Sequence, residues 1–425
     1  MLDTLKTAWK LADLRQKIVF TLLMFLIFRI GAHVPVPGMN TDVIAQLMQG
    51  QLFGFFDVIS GGAFKRFTVF AMSITPYINA SIIMQLLTVV IPKLEQLQKE
   101  GEEGRKKIQQ YIRYGTVVLG FIQALGMAIA LGRYQIDGMT AVINPGIWSY
   151  LAIAITLTAG TAFLMWIGEL ITEKGIGNGI SLIIFAGIVA RVPSALVSIF
   201  EYLKAGTVNI FNVLLLVIIA LAVIAAVVAM HEGQRRISVQ YAKRVVGRRV
   251  YGGQSTHLPL KVNQAGVIPV IFAMSIMMFP ATIASWMSPG WFTNFIDQYF
   301  NFGTVPYNIV YALLIIFFTF FYTAVVFNPA DVAENLKKYG GFIPGIRPGR
   351  PTSEYIERVL SRVTLAGAVF LALIAILPNF VIAVTKITSI WFGGTALLIV
   401  VGVALETMKQ IESHLLLRSY QGFMK

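Results

Sequence analysis

Ten apolar runs constrain this chain more than any other feature, near residues 18–36, 70–91, 114–132, 148–171, 180–200, 210–230, 265–286, 308–328, 363–382 and 390–408. A hydrocarbon core needs roughly 20 apolar residues at helical rise. Inside it every backbone N–H and C=O must be paired within the protein, so a run of that length is a helix. Only 13% of the residues are charged and 56% are hydrophobic, against roughly 25% charged in soluble domains. The expectation is an all-α polytopic membrane protein with ten transmembrane helices. The 37 glycines and 16 prolines, several inside apolar runs, point to close packing between helices that re-satisfy one another's backbones.

Several chemistries are excluded at once. There is no cysteine, and the four histidines (His33, His231, His257, His414) stand far apart without a second ligand at metal spacing. Disulfide, thiolate and zinc chemistry drop out, and no cofactor is expected. His231-Glu232 lacks the second histidine of a metalloprotease helix, and no nucleophile is paired with a base, so the chain is not expected to be an enzyme. "GIGNG" at 175–179 follows an apolar run rather than a strand and has no Walker lysine; it reads as a tight turn. Charged residues up to Lys17 lead into a full-length run with no small-residue cleavage site, so residue 1 is expected to be kept.

With ten spans both termini share one side, and most of the 34 Lys and Arg fall on that side too. The positive-inside bias makes it cytoplasmic. That asymmetry accounts for most of the net charge of +14 without a nucleic-acid ligand, and no DNA partner is expected. Two connections there, 231–264 and 329–362, are longer than topology needs. The first carries the basic pairs Lys243-Arg244 and Arg248-Arg249, loosened by Gly247; the second is dense in Gly and Pro, which favours a turned tip presenting Arg347 and Arg350. Each is either a solvated loop or an arm for a phosphate backbone or an acidic protein surface.

Residues 52–70, "LFGFFDVISGGAFKRFTVF", are apolar yet too short and interrupted to span. Phe53, Phe56 and Phe64 give the segment its apolar character, Asp57 interrupts it, and Ser60-Gly61-Gly62 permits a sharp break. Such a piece lies flat at the interface, packs on the outer face of a neighbouring domain, or folds back into a cavity that it can block. In the next run Ile74, Ile78 and Ile82 recur at four-residue steps, with Ser81, Gln85 and Thr88 beside them on the same helical face. Branched aliphatics make a dewetting constriction whose approach polar neighbours hydrate; polar groups also serve as glue between helices. Ile180 and Ile184, one turn apart, begin a second such stripe.

Longer motifs carry a resemblance. "IFRIGAHVPVPG" (27–38), "ITPYINASIIMQLL" (74–87), "EGRKKIQQYIRYGT", "EKGIGNGISLIIFAGI", "YGGQSTHLPLKVNQAGVIP" and "FNPADVAENLKKYGGFIPGIRPG" together make the chain closely similar to the bacterial SecY family over essentially its whole length. These are the pore subunits of the Sec protein-conducting channel. The resemblance implies ten helices in two pseudo-symmetric five-helix halves (1–200 and 201–425) around an hourglass pore. It makes 52–66 a plug that seals the pore from outside and moves aside, and it implies a pore ring of Ile74, Ile78, Ile180, Ile184, Ile271 and Ile399. It implies a lateral gate between the second and third spans and the seventh and eighth, with Gln85, Gln123 and Asn263 as polar gate positions. Arg248, Arg249, Arg347 and, beside them, Lys243, Arg244 and Arg350 would receive the ribosome or the SecA motor. SecE and SecG subunits, signal peptides, nascent chains and lipid complete the implied partners, in a bacterial inner membrane. Arg29, in "FRIG", is expected to snorkel or to pair structurally. The tail, which ends soon after "LLLRSYQGFMK", departs from the pattern.

A secondary transporter of a small solute is the other reading, since it too has paired halves and broken helices. It needs ionisable residues at mid-membrane, and hardly any are present: Glu169 and Glu406 fall near cytoplasmic ends, Arg29 toward the outer end.

Overall fold

The computed structural model describes residues 2–41, 43–44, 60–132, 135–136, 139–241, 244–246, 249–251, 255–287, 290–300, 304–385 and 394–423. It is mostly helical. The helices are α1 Leu2–Lys10, α2 Ala12–Gly31, α3 Thr75–Val90, α4 Pro92–Lys99, α5 Glu102–Gly132, α6 Ile147–Lys174, α7 Gly179–Val189, α8 Val192–Lys204, α9 Ile210–Glu232, α10 Ile268–Trp286, α11 Trp291–Tyr299, α12 Val305–Val326, α13 Pro329–Lys338, α14 Arg350–Thr385 and α15 Gly394–Phe423. Among the described residues, six stretches are long and apolar enough to cross a membrane: Glu102–Gly132, Ile147–Lys174, Gly179–Lys204, Ile210–Glu232, Val305–Lys338 and Arg350–Ile382. Counting α3 with α4 makes seven. The expected runs that fall short have visible reasons: Arg15, Lys17 and Arg29 dilute α2, Pro280 interrupts α10, and the run at 390–408 begins outside the described residues.

Proline places several boundaries. Ile91 precedes Pro92 and is extended (φ −99°, ψ 112°), since a following proline disfavours the helical region. The chain turns by 100° there, between α3 and α4. Pro76 and Pro193 sit in the first turns of α3 and α8, where a missing N–H costs nothing. The span expected from residue 70 therefore starts at Thr75, and 60–74 is a series of turns.

Two helices run well beyond their apolar cores into the long connections. α5 begins at Glu102 rather than 114, and α14 at Arg350 rather than 363. The second is stabilised by Ile356 and Leu360, one turn apart and buried. Ile356 shares a cluster with Ile237, Val239, Leu260 and Ile343. That cluster lies under a small sheet, a feature an all-α expectation missed. Strand β3 (Gln234–Tyr241) pairs antiparallel with β6 (Ser255–Lys261) and with β7 (Gly341–Phe342), in the order β6-β3-β7. β3 alternates as a strand should, with Ile237 and Val239 buried and Arg236, Ser238 and Gln240 exposed. Pro259 is tolerated because β6 is an edge. The connections at 231–264 and 329–362 are thus joined through a shared sheet. Other short pairs are β1 (Gln135–Ile136) with β2 (Met139–Thr140), and β4 (Arg244–Val246) with β5 (Arg249–Tyr251).

Packing is dense among α3, α5 and α6, and again among α10, α12 and α14. α10 also packs against α3 and α5, and α15 against α7, α9 and α1. The largest hydrophobic cluster draws on α2, α3, α6, α7, α9, α10, α12, α14 and α15 together.

Candidate pore and plug site

The six isoleucines come together. Ile74, Ile78, Ile184 and Ile399 are buried members of the largest cluster, and Ile180 and Ile271 pack against it. Ile74 is the residue before α3 rather than part of it, and its carbonyl accepts from the Ile78 N–H at 3.1 Å, which puts the two side chains one turn apart. Ile271 is in the first turn of α10 and Ile399 in α15.

Ile180 and Ile184 owe their placement to the turn before α7. Asn178 caps the helix, its side chain accepting from the N–H groups of Ile180 (3.1 Å) and Ser181 (3.2 Å). Gly177 has φ of +90°. Three further N–H groups of the turn are satisfied from three helices: Ile176 donates to Thr21 Oγ1 of α2 at 3.2 Å, Gly177 to Gln410 Oε1 of α15 at 2.8 Å, and Gly179 to Thr172 Oγ1 of α6 at 2.9 Å. The tight turn read from "GIGNG" is therefore also a junction. Spacing alone had no way to name Thr21, Gln410 or Thr172 as its partners.

Of the expected plug positions, Phe53, Phe56 and Asp57 lie outside the described residues. Ser60, Gly61, Gly62 and Phe64 form turns, with Ser60 Oγ accepting from the Phe64 N–H at 3.0 Å. Gly61 and Gly62 have φ of +66° and +89°, the left-handed region that glycine enters at least cost. Ala63 belongs to the same cluster as the isoleucines, while Phe64 and Phe67 belong to a second one between α5 and α6. Two non-glycine residues here, Phe67 (φ 45°) and Ser73 (φ 51°), are held in that region as well. Positions of that kind persist only where the surroundings over-determine them.

The expected gate residues are distributed differently. α3 and α5 do meet α10. Half-buried Gln85 donates to Ser81 Oγ at 3.4 Å on its own helix. Asn263 is buried just before α10 and faces His231 Nε2 of α9 at 3.5 Å. Among the described residues no hydrogen bond joins Gln123 to Asn263. A stronger polar node, unforeseen, sits one helix away: Gln109 donates to Tyr77 Oη and to Glu169 Oε1, each at 3.1 Å, and Arg113 Nε donates to the same oxygen at 2.8 Å. It ties α3, α5 and α6 into one body. Glu169→Ala is expected to lower stability by about 1.5–3 kcal/mol, the range for hydrogen bonds to charged groups, and thermal unfolding in detergent checks it; an unchanged midpoint would mean the node is ornamental.

On the arms, Arg347 is exposed on a turn closed by Thr352 Oγ1, which donates to the Arg347 carbonyl at 2.8 Å. Arg350 pairs with Glu354 at 3.0 Å. Arg244 and Arg249 lie in the paired strands β4 and β5, with Val246 opposite Arg249. Lys243 and Arg248 lie outside the described residues.

Known proteins fit this arrangement. A protein translocase subunit SecY from Halalkalibacterium halodurans is 52% identical over 437 residues, covering 100% of both chains. A solved SecY channel, whose plug domain is described as stabilising the closed state and maintaining a membrane seal, aligns with a TM-score of 0.66 at 18% identity, over 94% of this chain and 92% of the other. Sec61 from a canine ribosome-channel complex aligns at 0.63 and 19%, with the same coverage. With the family model for SecY matching residues 68–408, the chain belongs to the SecY family.

Proposed function

We propose that this chain is a protein-conducting channel that passes unfolded secretory polypeptides across the membrane and releases transmembrane segments sideways into lipid. The observation that carries the reading is the gathering of six isoleucines from α3, α7, α10, α15 and the turn before α3 in one cluster with Ala63. A ring of branched aliphatics suits the task. It offers no fixed hydrogen-bonding pattern and so accepts any passing sequence, while it refuses to hydrate ions.

In this reading the chain has ten spans in two halves, 1–200 and 201–425. The seam where α10 meets α3 and α5 is the lateral gate, and 52–66 is the plug. Both termini and both arms face the cytoplasm of a bacterial cell. The exposed Arg347 and Arg350, with Lys243, Arg244, Arg248 and Arg249, receive the ribosome or the SecA motor, and SecE and SecG complete the complex. The channel does no chemistry of its own and takes no cofactor. The transporter alternative is disfavoured because no Asp or Glu is buried among the described residues, whereas coupling ions want buried carboxylates.

Site-specific photocrosslinking tests it. A stalled secretory chain is expected to crosslink at positions 78, 184 and 271 and not at Ile218, which is exposed on α9. Equal adducts at Ile218 would remove the pore from the centre of the cluster.

A further inference from the structure

Arg29 does more than snorkel. It lies in the last turn of α2, a favourable place for a cation, and its Nη1 donates to the Gly61 carbonyl at 2.7 Å. Gly61 is buried, and on its other side it rests on α7: a Cβ built there would lie 3.1 Å from Gly187 Cα. One residue is thus gripped by a guanidinium from α2 and by the backbone of the helix that carries Ile180 and Ile184. A glycine offers no side chain to hold. Its carbonyl is the available handle, and a charged donor makes that bond roughly twice as strong as a neutral one.

The contacts further along are of another kind. Val36 N–H donates to the Phe67 carbonyl at 3.0 Å, Val69 N–H to the Val34 carbonyl at 2.9 Å, and Pro35 bridges Thr68. These backbone pairs anchor 67–69 to the strand-like chain after α2 whether or not Arg29 is present. Arg29 alone among these partners reaches back to Gly61, at the glycine break where the expected plug leaves the anchored segment.

We propose that Arg29 is the latch of the plug, a positioning residue that holds the Gly61 hinge against Gly187 in the idle channel and lets go when water enters with a passing chain. The inference rests on the plug reading given above. A backbone pair released with the hinge would be costly to re-form, whereas a guanidinium can exchange one carbonyl for water and return, so the latch is reversible.

Because the chain has no cysteine, a single Ala63→Cys reports on the hinge; Ala63 is fully buried. In idle reconstituted channels R29A is expected to raise both maleimide labelling at A63C and ion conductance by roughly tenfold, the loss of one charge-assisted bond. R29Q keeps a neutral donor of similar reach, should fall between parent and R29A, and serves if R29A does not accumulate. Labelling of a buried control on α14, A368C, which belongs to neither the cluster of Ala63 nor that of Phe64, should stay unchanged. The decisive comparison repeats R29A in a channel lacking residues 57–67, where it should add no further leak. Extra leak in that background would place the action of Arg29 elsewhere and overturn the latch while leaving the plug standing. Parental labelling and conductance in R29A and R29Q would overturn it too. If removing 57–67 itself leaves conductance unchanged, the plug reading fails, and the latch fails with it.

Discussion

Replacing Ile78 and Ile184 together by serine is expected to raise ion leak around a trapped polypeptide by an order of magnitude or more. The physical reason is hydration. Both side chains are buried in one cluster, and a narrow aliphatic collar excludes water and ions because neither can be solvated there. Two hydroxyls within that cluster offer donors and acceptors where there were none, and the smaller side chains open space. Burial of each isoleucine is worth about 1.5–3 kcal/mol, so the double variant is also less stable, and its leak must be compared with that of an equally destabilised control. Leu260→Ser with Ile356→Ser serves: both are fully buried, in the cluster under the β6-β3-β7 sheet and apart from the six isoleucines, and neither should change conductance. Single-channel recordings with a stalled substrate decide it. A sealed double variant would mean the isoleucines pack without gating.

Gly179→Val should strongly destabilise the channel. A Cβ at Gly179 would fall on the Gly168 carbonyl, which is helix backbone and cannot step aside, and the next nearest atom, Ile171 Cβ, is only 2.9 Å away. Gly168 in turn has no room for a Cβ, which would come within 2.6 Å of Ile180 Cδ1. α6 and α7 cross at these two glycines, and the crossing sets where Ile180 and Ile184 point. Forcing them apart costs about 3 kcal/mol, the upper end of the overpacking range because the obstacle is backbone, which exceeds what one turn's capping bonds can return. Gly146→Ala is the contrast: its φ of −169° is extended backbone that any residue adopts, and nothing lies within 4 Å of its Cβ position. Thermal stability in detergent should drop steeply for the first and stay within about 1 kcal/mol for the second, since Gly146 is a helix N-cap where alanine is somewhat worse than glycine. Equal behaviour of the two would remove the close α6–α7 crossing as a constraint.

Much of the candidate site was legible because its signals are local. Four-residue spacing put Ile74 with Ile78 and Ile180 with Ile184, and helical periodicity needs no partner to be read. The sheet joining the arms was legible in principle, since "RRISVQY" alternates, but the surrounding basic turns hid the period. What spacing could not supply is any bond between distant segments. Gly61 accepts from a residue 32 positions earlier, Glu169 from residues 56 and 60 positions away, and Gly177 donates to one 233 positions away. The resemblance offers Gln123 and Asn263 as polar gate positions, but no motif shows that Asn263 faces His231.

Length and apolarity of the runs determined that this chain is helical and belongs in a membrane, because hydrocarbon allows an isolated backbone no other way to satisfy its own hydrogen bonds. Motifs determined its family. Only the tertiary structure decided which side chains share the central cluster, that Gly168 and Gly179 let α6 and α7 touch, and that Arg29 closes on Gly61. Those choices depend on distances between segments far apart in the chain, and sequence separation carries no information about distance until the helices are packed.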